Sequence, residues 1–126
     1  MKKLIVIILV LLGGSLLINH YIYNEKQGDV IPVDAVHAVE VMPITHATMV
    51  LKVGDAVIYN DPTGGAEAFA GKPEPTIILV SDVHGDHLST STLVSVIKDE
   101  TVLIVPQAVN DLLPEALATR ARVLKN

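Results

Sequence analysis

The chain has 126 residues, half of them hydrophobic and 18% charged, with a formal net charge of −5. That is one modest globular domain with an added apolar segment, and an acidic balance without a basic block after Lys3 excludes a phosphate-neutralising nucleic-acid surface. With no cysteine and 3% aromatic residues, disulfides, thiolate nucleophiles, Cys-ligated zinc and base-stacking platforms are excluded as well.

Met1-Lys2-Lys3 is a short positive region before an apolar run from Leu4 to Ile18. This predicts a signal peptide or an N-terminal membrane anchor over residues 1–23, with the body of the protein outside the cytoplasm, periplasmic or extracellular. Residues 24–35 are polar and turn-rich and read as a linker. The folded part, residues 36–126, opens with β-branched runs at Val36 to Ile44 and Ala47 to Val53. Gly54-Asp55 is a two-residue hairpin signal, and Ala56 to Asn60 is the returning strand. Asp61-Pro62-Thr63-Gly64-Gly65 ends that strand, because Pro lacks the ladder donor and the glycines free the backbone. Ala66 to Pro75 is a connection.

Thr76 to Val80 is a nearly continuous apolar run, expected for a strand buried on both faces. Ser89 or Thr90 then caps a helix whose stripe is Leu93, Val94 and Ile97. Val102 to Val105 is the next strand, ended by Pro106. Ala108 to Ala118 has helical spacing, with Val109, Leu112, Leu113, Ala116 and Leu117 apolar and Pro114 restarting the helix as its first residue. Ala121 to Leu124 is a last short strand. The order is a hairpin followed by strand–helix–strand–helix–strand, an α/β arrangement.

The chemistry concentrates in Asp82-Val83-His84-Gly85-Asp86-His87, four oxygen and nitrogen donors within six positions. A loop leaving a buried strand has a rigid origin. In extended backbone Asp82, His84 and Asp86 project the same way, and His87 joins once the chain turns toward the helix. Gly85 is expected to relieve crowding between them. Carboxylate and imidazole donors suit zinc, and also manganese or iron. Asp61, at a strand end, is either a partner that fixes a ligand imidazole or a turn residue bonding its own backbone. His46 either faces the site or ends a strand. His37 is expected to be structural or exposed, and His20 belongs to the export segment.

These residues resemble the metallo-β-lactamase-fold hydrolase superfamily, whose signature is His-x-His-x-Asp-His after a buried strand. The likeness is to an exported, lactonase-like bacterial branch, supported by Pro43-Ile44-Thr45-His46-Ala47-Thr48, by Ile58 to Glu67 (I-Y-N-D-P-T-G-G-A-E) and by Pro106-Gln107-Ala108-Val109. Asp82 stands where the superfamily has its first His. The resemblance implies the N-terminal half of an αββα sandwich. It implies two divalent metals, zinc or else manganese or iron, with Asp82 and His84 on the first and Asp86 and His87 on the second. It further implies a metal-bound hydroxide, oriented by Asp86 as catalytic residue, acting on a small ester, lactone or phosphoester; metal binding brings the pKa of water to about 7.

The superfamily completes its site with later His and Asp residues, whereas no His follows His87 here. Asp99 and Asp111 stand in helix-end contexts. The reading is therefore a half-domain, of low activity alone, that needs a missing C-terminal half or a second subunit to complete the site. One half-sandwich leaves an apolar sheet face uncovered. Two rivals remain: an exported, non-catalytic binding or assembly module with a vestigial metal site, and a calcineurin-like phosphoesterase suggested by Ser81-Asp82-Val83-His84-Gly85. The second lacks the Gly-Asn-His cluster that family carries downstream.

Overall fold

The computed structural model describes residues 38–125 together with the backbone of Asp29–Pro32. The apolar N-terminal run, His20 and His37 lie outside these residues. Among the described residues no helix is long and apolar enough to cross a membrane.

Seven strands form one mixed sheet in which spatial order equals chain order: β1 (Asp29–Pro32), β2 (Ala38–Thr45), β3 (Thr48–Val53), β4 (Ala56–Asn60), β5 (Ile77–Leu79), β6 (Val102–Pro106) and β7 (Ala121–Leu124). β1 to β4 pair antiparallel, and β4 to β7 pair parallel. The predicted hairpin forms with Val53 opposite Ala56, and Gly54 takes the positive φ of 56° that its two-residue turn needs. β1 corrects the linker reading: Asp29 to Pro32 pair with Val41 to Ala38. The segment is polar enough to look unstructured, but Val30 and Ile31 suffice for an edge strand, and Pro32 stands at its end, where a strand tolerates proline.

The parallel crossovers carry a 3₁₀ turn at Ala66–Phe69, helix α1 (Thr90–Val96) and two single-turn helices, α2 (Gln107–Asn110) and α3 (Glu115–Ala118). The sequence reading left Ala66 to Phe69 as plain connection. It coils so that Phe69 can stack on Tyr59, with ring centroids 4.5 Å apart. α1 starts as expected at Ser89, whose hydroxyl accepts from the Thr92 N–H. Its buried residues are Thr92, Leu93 and Val96, so Val94, 62% exposed, does not belong to the apolar stripe. The continuous helix expected from Ala108 to Ala118 is broken. Pro114 disfavours helical backbone at Leu113 and occupies the N-cap of α3, one position before its first helical residue. Every fourth residue, Val109, Leu113 and Leu117, is buried, while Leu112 and Ala116 are exposed.

One face of the sheet holds the core: Met42, Val50, Val57, Tyr59, Ile78, Val80, Leu103 and Val105 pack with Phe69, Leu93, Val96, Val109, Leu113 and Leu117 from the crossovers. The opposite face is different. Val41, Leu51, Ile58, Ile77 and Val102 form a row of register partners across five strands, yet none is buried and none belongs to the core. β5 is therefore not buried on both faces as its composition suggested. Ile78 is fully enclosed, whereas Ile77 and Leu79 are half-exposed.

Candidate metal centre

The donor loop leaves the sheet where β4 and β5 run in parallel, so that Asp61 follows β4 and Ser81 to His87 follow β5 at the same edge. The ladder extends one residue beyond β4 through the Asp61 N–H donating to the Leu79 carbonyl at 2.8 Å. Asp61 then turns with φ 44°, and its carboxylate, 2% exposed, faces the donor loop. Oδ1 accepts from the Ser81 N–H at 2.6 Å. Oδ2 accepts from the Ser81 hydroxyl at 2.7 Å, from Asn60 Nδ2 at 3.0 Å and from His87 Nδ1 at 3.0 Å. Of the two sequence readings for Asp61, the geometry is that of a partner fixing an imidazole. Donation from His87 Nδ1 leaves the Nε2 lone pair free to ligate.

Sequence reasoning missed Ser81, which serves Asp61 twice and lies 3.1 Å from His87 Nδ1 through its hydroxyl. Its only signal was its place as the first polar residue after an apolar run. Asn60 was also missed; its amide donates both to Asp61 and to the Ala47 carbonyl at 2.9 Å.

The loop does not stay extended. His87 and Leu88 both donate backbone N–H groups to the His84 carbonyl, at 2.9 and 2.8 Å, closing a turn over His84 to Leu88. Two donor pairs result instead of one aligned set. His84 Nδ1 donates to Asp82 Oδ2 at 2.6 Å, and His87 Nε2 lies 3.7 Å from Asp86 Oδ2. Gly85 is not needed for space, since a Cβ there would meet nothing within 4 Å. His46 occupies the β2–β3 turn with φ 47°, exposed, its Nδ1 3.0 Å from the Thr45 hydroxyl. It lies at the same sheet edge but makes no hydrogen bond to the donor loop. Asp99 is exposed in the turn after α1, and Asp111 closes α2 rather than opening a helix, accepting from Gln107 Nε2 at 2.7 Å. An open cleft of about 550 Å³ lies at the far edge of the sheet, around Glu74, Ile97 and Glu100, away from these donors.

The exposed Asp82–His84 pair titrates together. The bond from His84, and then that from the Val83 N–H, holds the Asp82 carboxyl below its ordinary 3.8; the same bond and the Asp82 charge hold His84 above 6.5. A raised histidine value contributes stability in full below 6.5 and loses it as pH rises through the folded value. A lowered aspartate value contributes above 3.8 and loses it as pH falls through the folded value. The pair is thus fully formed between roughly pH 4 and 6.5. An NMR titration of the His84 ring should give a midpoint above 6.5, returning toward 6.5 in Asp82→Asn. A wild-type midpoint at or below 6.5 would remove the pairing. Because a protonated imidazole cannot ligate, divalent metal binding here should strengthen as pH rises through that midpoint.

As a metal centre the donor set is incomplete. Among the described residues no three His, Asp or Glu side chains are grouped to hold one ion, whereas a protein zinc site supplies three or four ligands. The described residues bring Asp82 to His84 and Asp86 to His87, two side chains in each pair.

No family model matches the sequence, and no curated protein matches it. Among solved structures, the chain is similar to the crystal structure of a protein named "Putative metal-dependent hydrolase" from Parabacteroides distasonis, with 27% identity and a TM-score of 0.65. The similarity covers 79% of this chain and 43% of the other, so the chain spans less than half the length of the protein it matches. The α/β architecture agrees with the sequence expectation at that level.

Proposed function

We propose that this chain supplies the first half of a metal-dependent hydrolase site of the metallo-β-lactamase type, with Asp82, His84, Asp86 and His87 as its donors and Asp61 as the group that orients His87. The observation that carries this reading is the buried Asp61 carboxylate gripping His87 Nδ1 across 26 positions of sequence. With Nδ1 turned to the Asp61 carboxylate, the other ring nitrogen of His87 is the one available to ligate. The similarity to a metal-dependent hydrolase supports the same class. The substrate class is a small ester, lactone or phosphoester, with nucleic acid opposed by the net charge of −5. We further propose an exported protein whose N-terminal segment is its only contact with the membrane, over a domain spanning residues 36–126. The metal is divalent, zinc or else manganese or iron, and its remaining ligands come from polypeptide beyond the described residues.

A second reading has one observation in its favour. Asp82 and His84 satisfy each other at 2.6 Å, which suits an exported binding or assembly module with a vestigial site. Metal content separates the two. Elemental analysis of protein equilibrated with zinc or manganese should find bound metal in the wild type, and loss of most of it in His84→Ala and in Asp86→Ala. Outer partners of metal ligands typically change affinity by about 10–100-fold, so Asp61→Asn should weaken binding by that order. Metal content unchanged in all three variants would defeat the hydrolase reading.

A further inference from the structure

At Asp61 the backbone and the side chain exchange places. Where β4 and β5 run parallel, the Asp61 N–H donates to the Leu79 carbonyl at 2.8 Å. The next rung of a continuing parallel ladder would run from the Ser81 N–H to the Asp61 carbonyl. Instead the Ser81 N–H donates to Asp61 Oδ1 at 2.6 Å. The left-handed turn at Asp61, φ 44°, takes the carbonyl out of the ladder and leaves the carboxylate in its place. A residue with a Cβ disfavours that conformation, and the proline that follows, Pro62, restricts the backbone further. The displaced carbonyl is not left bare. It accepts from the Thr48 hydroxyl at 2.6 Å, across 13 positions of sequence. Thr48 opens β3 and is 1% exposed.

Counting hydrogens gives this contact a direction. Thr48 Oγ1 also lies 2.7 Å from the buried hydroxyl of Thr63. A hydroxyl has one hydrogen and a carbonyl only accepts, so the Thr48 hydrogen goes to Asp61 and the Thr63 hydroxyl donates to Thr48. Asn60 ties the same corner from the other side. Its amide donates to Asp61 Oδ2 at 3.0 Å and to the Ala47 carbonyl at 2.9 Å. Carbonyl and carboxylate of Asp61 are thus both anchored to Ala47 and Thr48. We propose that Thr48, with Thr63 behind it, is a positioning residue for His87. By holding the Asp61 carbonyl out of the ladder, it keeps the carboxylate turned to Ser81 and to His87 Nδ1. This role rests on the proposed one of Asp61, which orients His87. Without the Thr48 hydroxyl the carbonyl loses its donor, and a buried carbonyl without a partner is unfavourable. The donor it would recover is the Ser81 N–H, its ordinary ladder partner, and taking that back turns the carboxylate away from His87.

The tautomer of His87 reads this clamp before any metal is added. In the full chain in mild detergent, the ring-nitrogen NMR signals of the neutral imidazole should show one tautomer in the wild type, with the hydrogen on Nδ1. Thr48→Val keeps the shape of the side chain without its hydroxyl, and should give a mixture of the two tautomers. Thr48→Ser should keep the wild-type state, and Thr48→Cys, a weak donor, should lie between. Thr101→Val is the control. It removes a buried hydroxyl that donates to the Pro75 carbonyl at 2.8 Å, at the opposite edge of the sheet, and should leave His87 unchanged. Zinc affinity should fall by about 10–100-fold in Thr48→Val, the range for outer partners of ligands, and be kept in Thr48→Ser. A single Nδ1–H tautomer in Thr48→Val overturns the proposal. So does a mixture in Thr48→Ser, or an equal change in Thr101→Val. Should Thr48→Val not fold, Thr48→Cys decides in its place, and a wild-type tautomer there overturns the proposal. The hydrolase reading fails separately: a wild type that binds no zinc, with the tautomers mixed in Thr48→Val, upholds the clamp and defeats the metal site.

Discussion

Replacing Asp61 with alanine should destabilise the protein by about 2–4 kcal/mol, the range for leaving buried donors unsatisfied and losing charge-assisted bonds. Four donors converge on that carboxylate: the Ser81 N–H and hydroxyl, Asn60 Nδ2 and His87 Nδ1. Alanine removes the shared acceptor from all four, and only the donors nearest the partly exposed His87 and Ser81 can turn to water instead. It must also hold the φ of 44°, which costs a residue with a Cβ about 1–2 kcal/mol and which Asp and Asn tolerate better. Asp61→Asn keeps the backbone preference and one oxygen, so it should lose roughly half as much. Urea unfolding followed by far-UV circular dichroism measures both. A loss under about 0.5 kcal/mol for alanine, the range of ordinary surface changes, would mean that the network does not hold the edge of the sheet together.

The second large effect is expected at Leu93. This residue is fully enclosed, and α1 is the element into which the donor loop runs directly after Leu88. Leu93→Ala should cost about 2–5 kcal/mol, because a buried leucine loses both its transfer energy and its packing when a cavity remains. Val94→Ala, one position on, should stay within about 0.5 kcal/mol, since that side chain is largely in solvent. Thermal unfolding of the pair therefore reads the orientation of α1. Equal losses would mean that the helix is rotated from the position described. The link to the site is mechanical: α1 is tied to the strand-end loop by the Gly65 N–H donating to the Thr92 hydroxyl at 2.9 Å. Loosening Leu93 should therefore also weaken metal retention, by less than loss of His87 does.

The contrast between these two valleys of sequence, Asp61 to Gly65 and Ser81 to Leu93, explains what could be read in advance. The hairpin, the strand before the donors, the Ser89 cap and the last strand rest on signals a few residues apart: Gly54-Asp55, a β-branched run, a hydroxyl before an apolar stripe. Local chemistry decides them, and they are where the residues placed them. The donor loop was legible as a cluster but not as a geometry. Whether Asp86 aligns with Asp82 or turns beside His87 depends on which carbonyl the loop closes upon, and the His84 carbonyl leaves no mark on composition. Asp61 was evenly balanced between two roles because its partners, Ser81 and His87, are 20 and 26 positions away. Val94 and Ala116 were misplaced for a related reason. In helices of one or two turns, a single residue of rotation moves an apolar side chain from core to solvent.

Because each strand lies beside its predecessor in the chain, the sheet can be assembled by accretion. The two hairpin turns need only short, inexpensive closures, and each later crossover returns to an edge that already exists. No strand has to be threaded between two others already paired. In such a chain no pairing has to reach further along the sequence than a single crossover. The growing edge presents its unpaired amides at every stage, so that during synthesis the sheet is complete only up to the last strand made, and the next strand to emerge is also its cap.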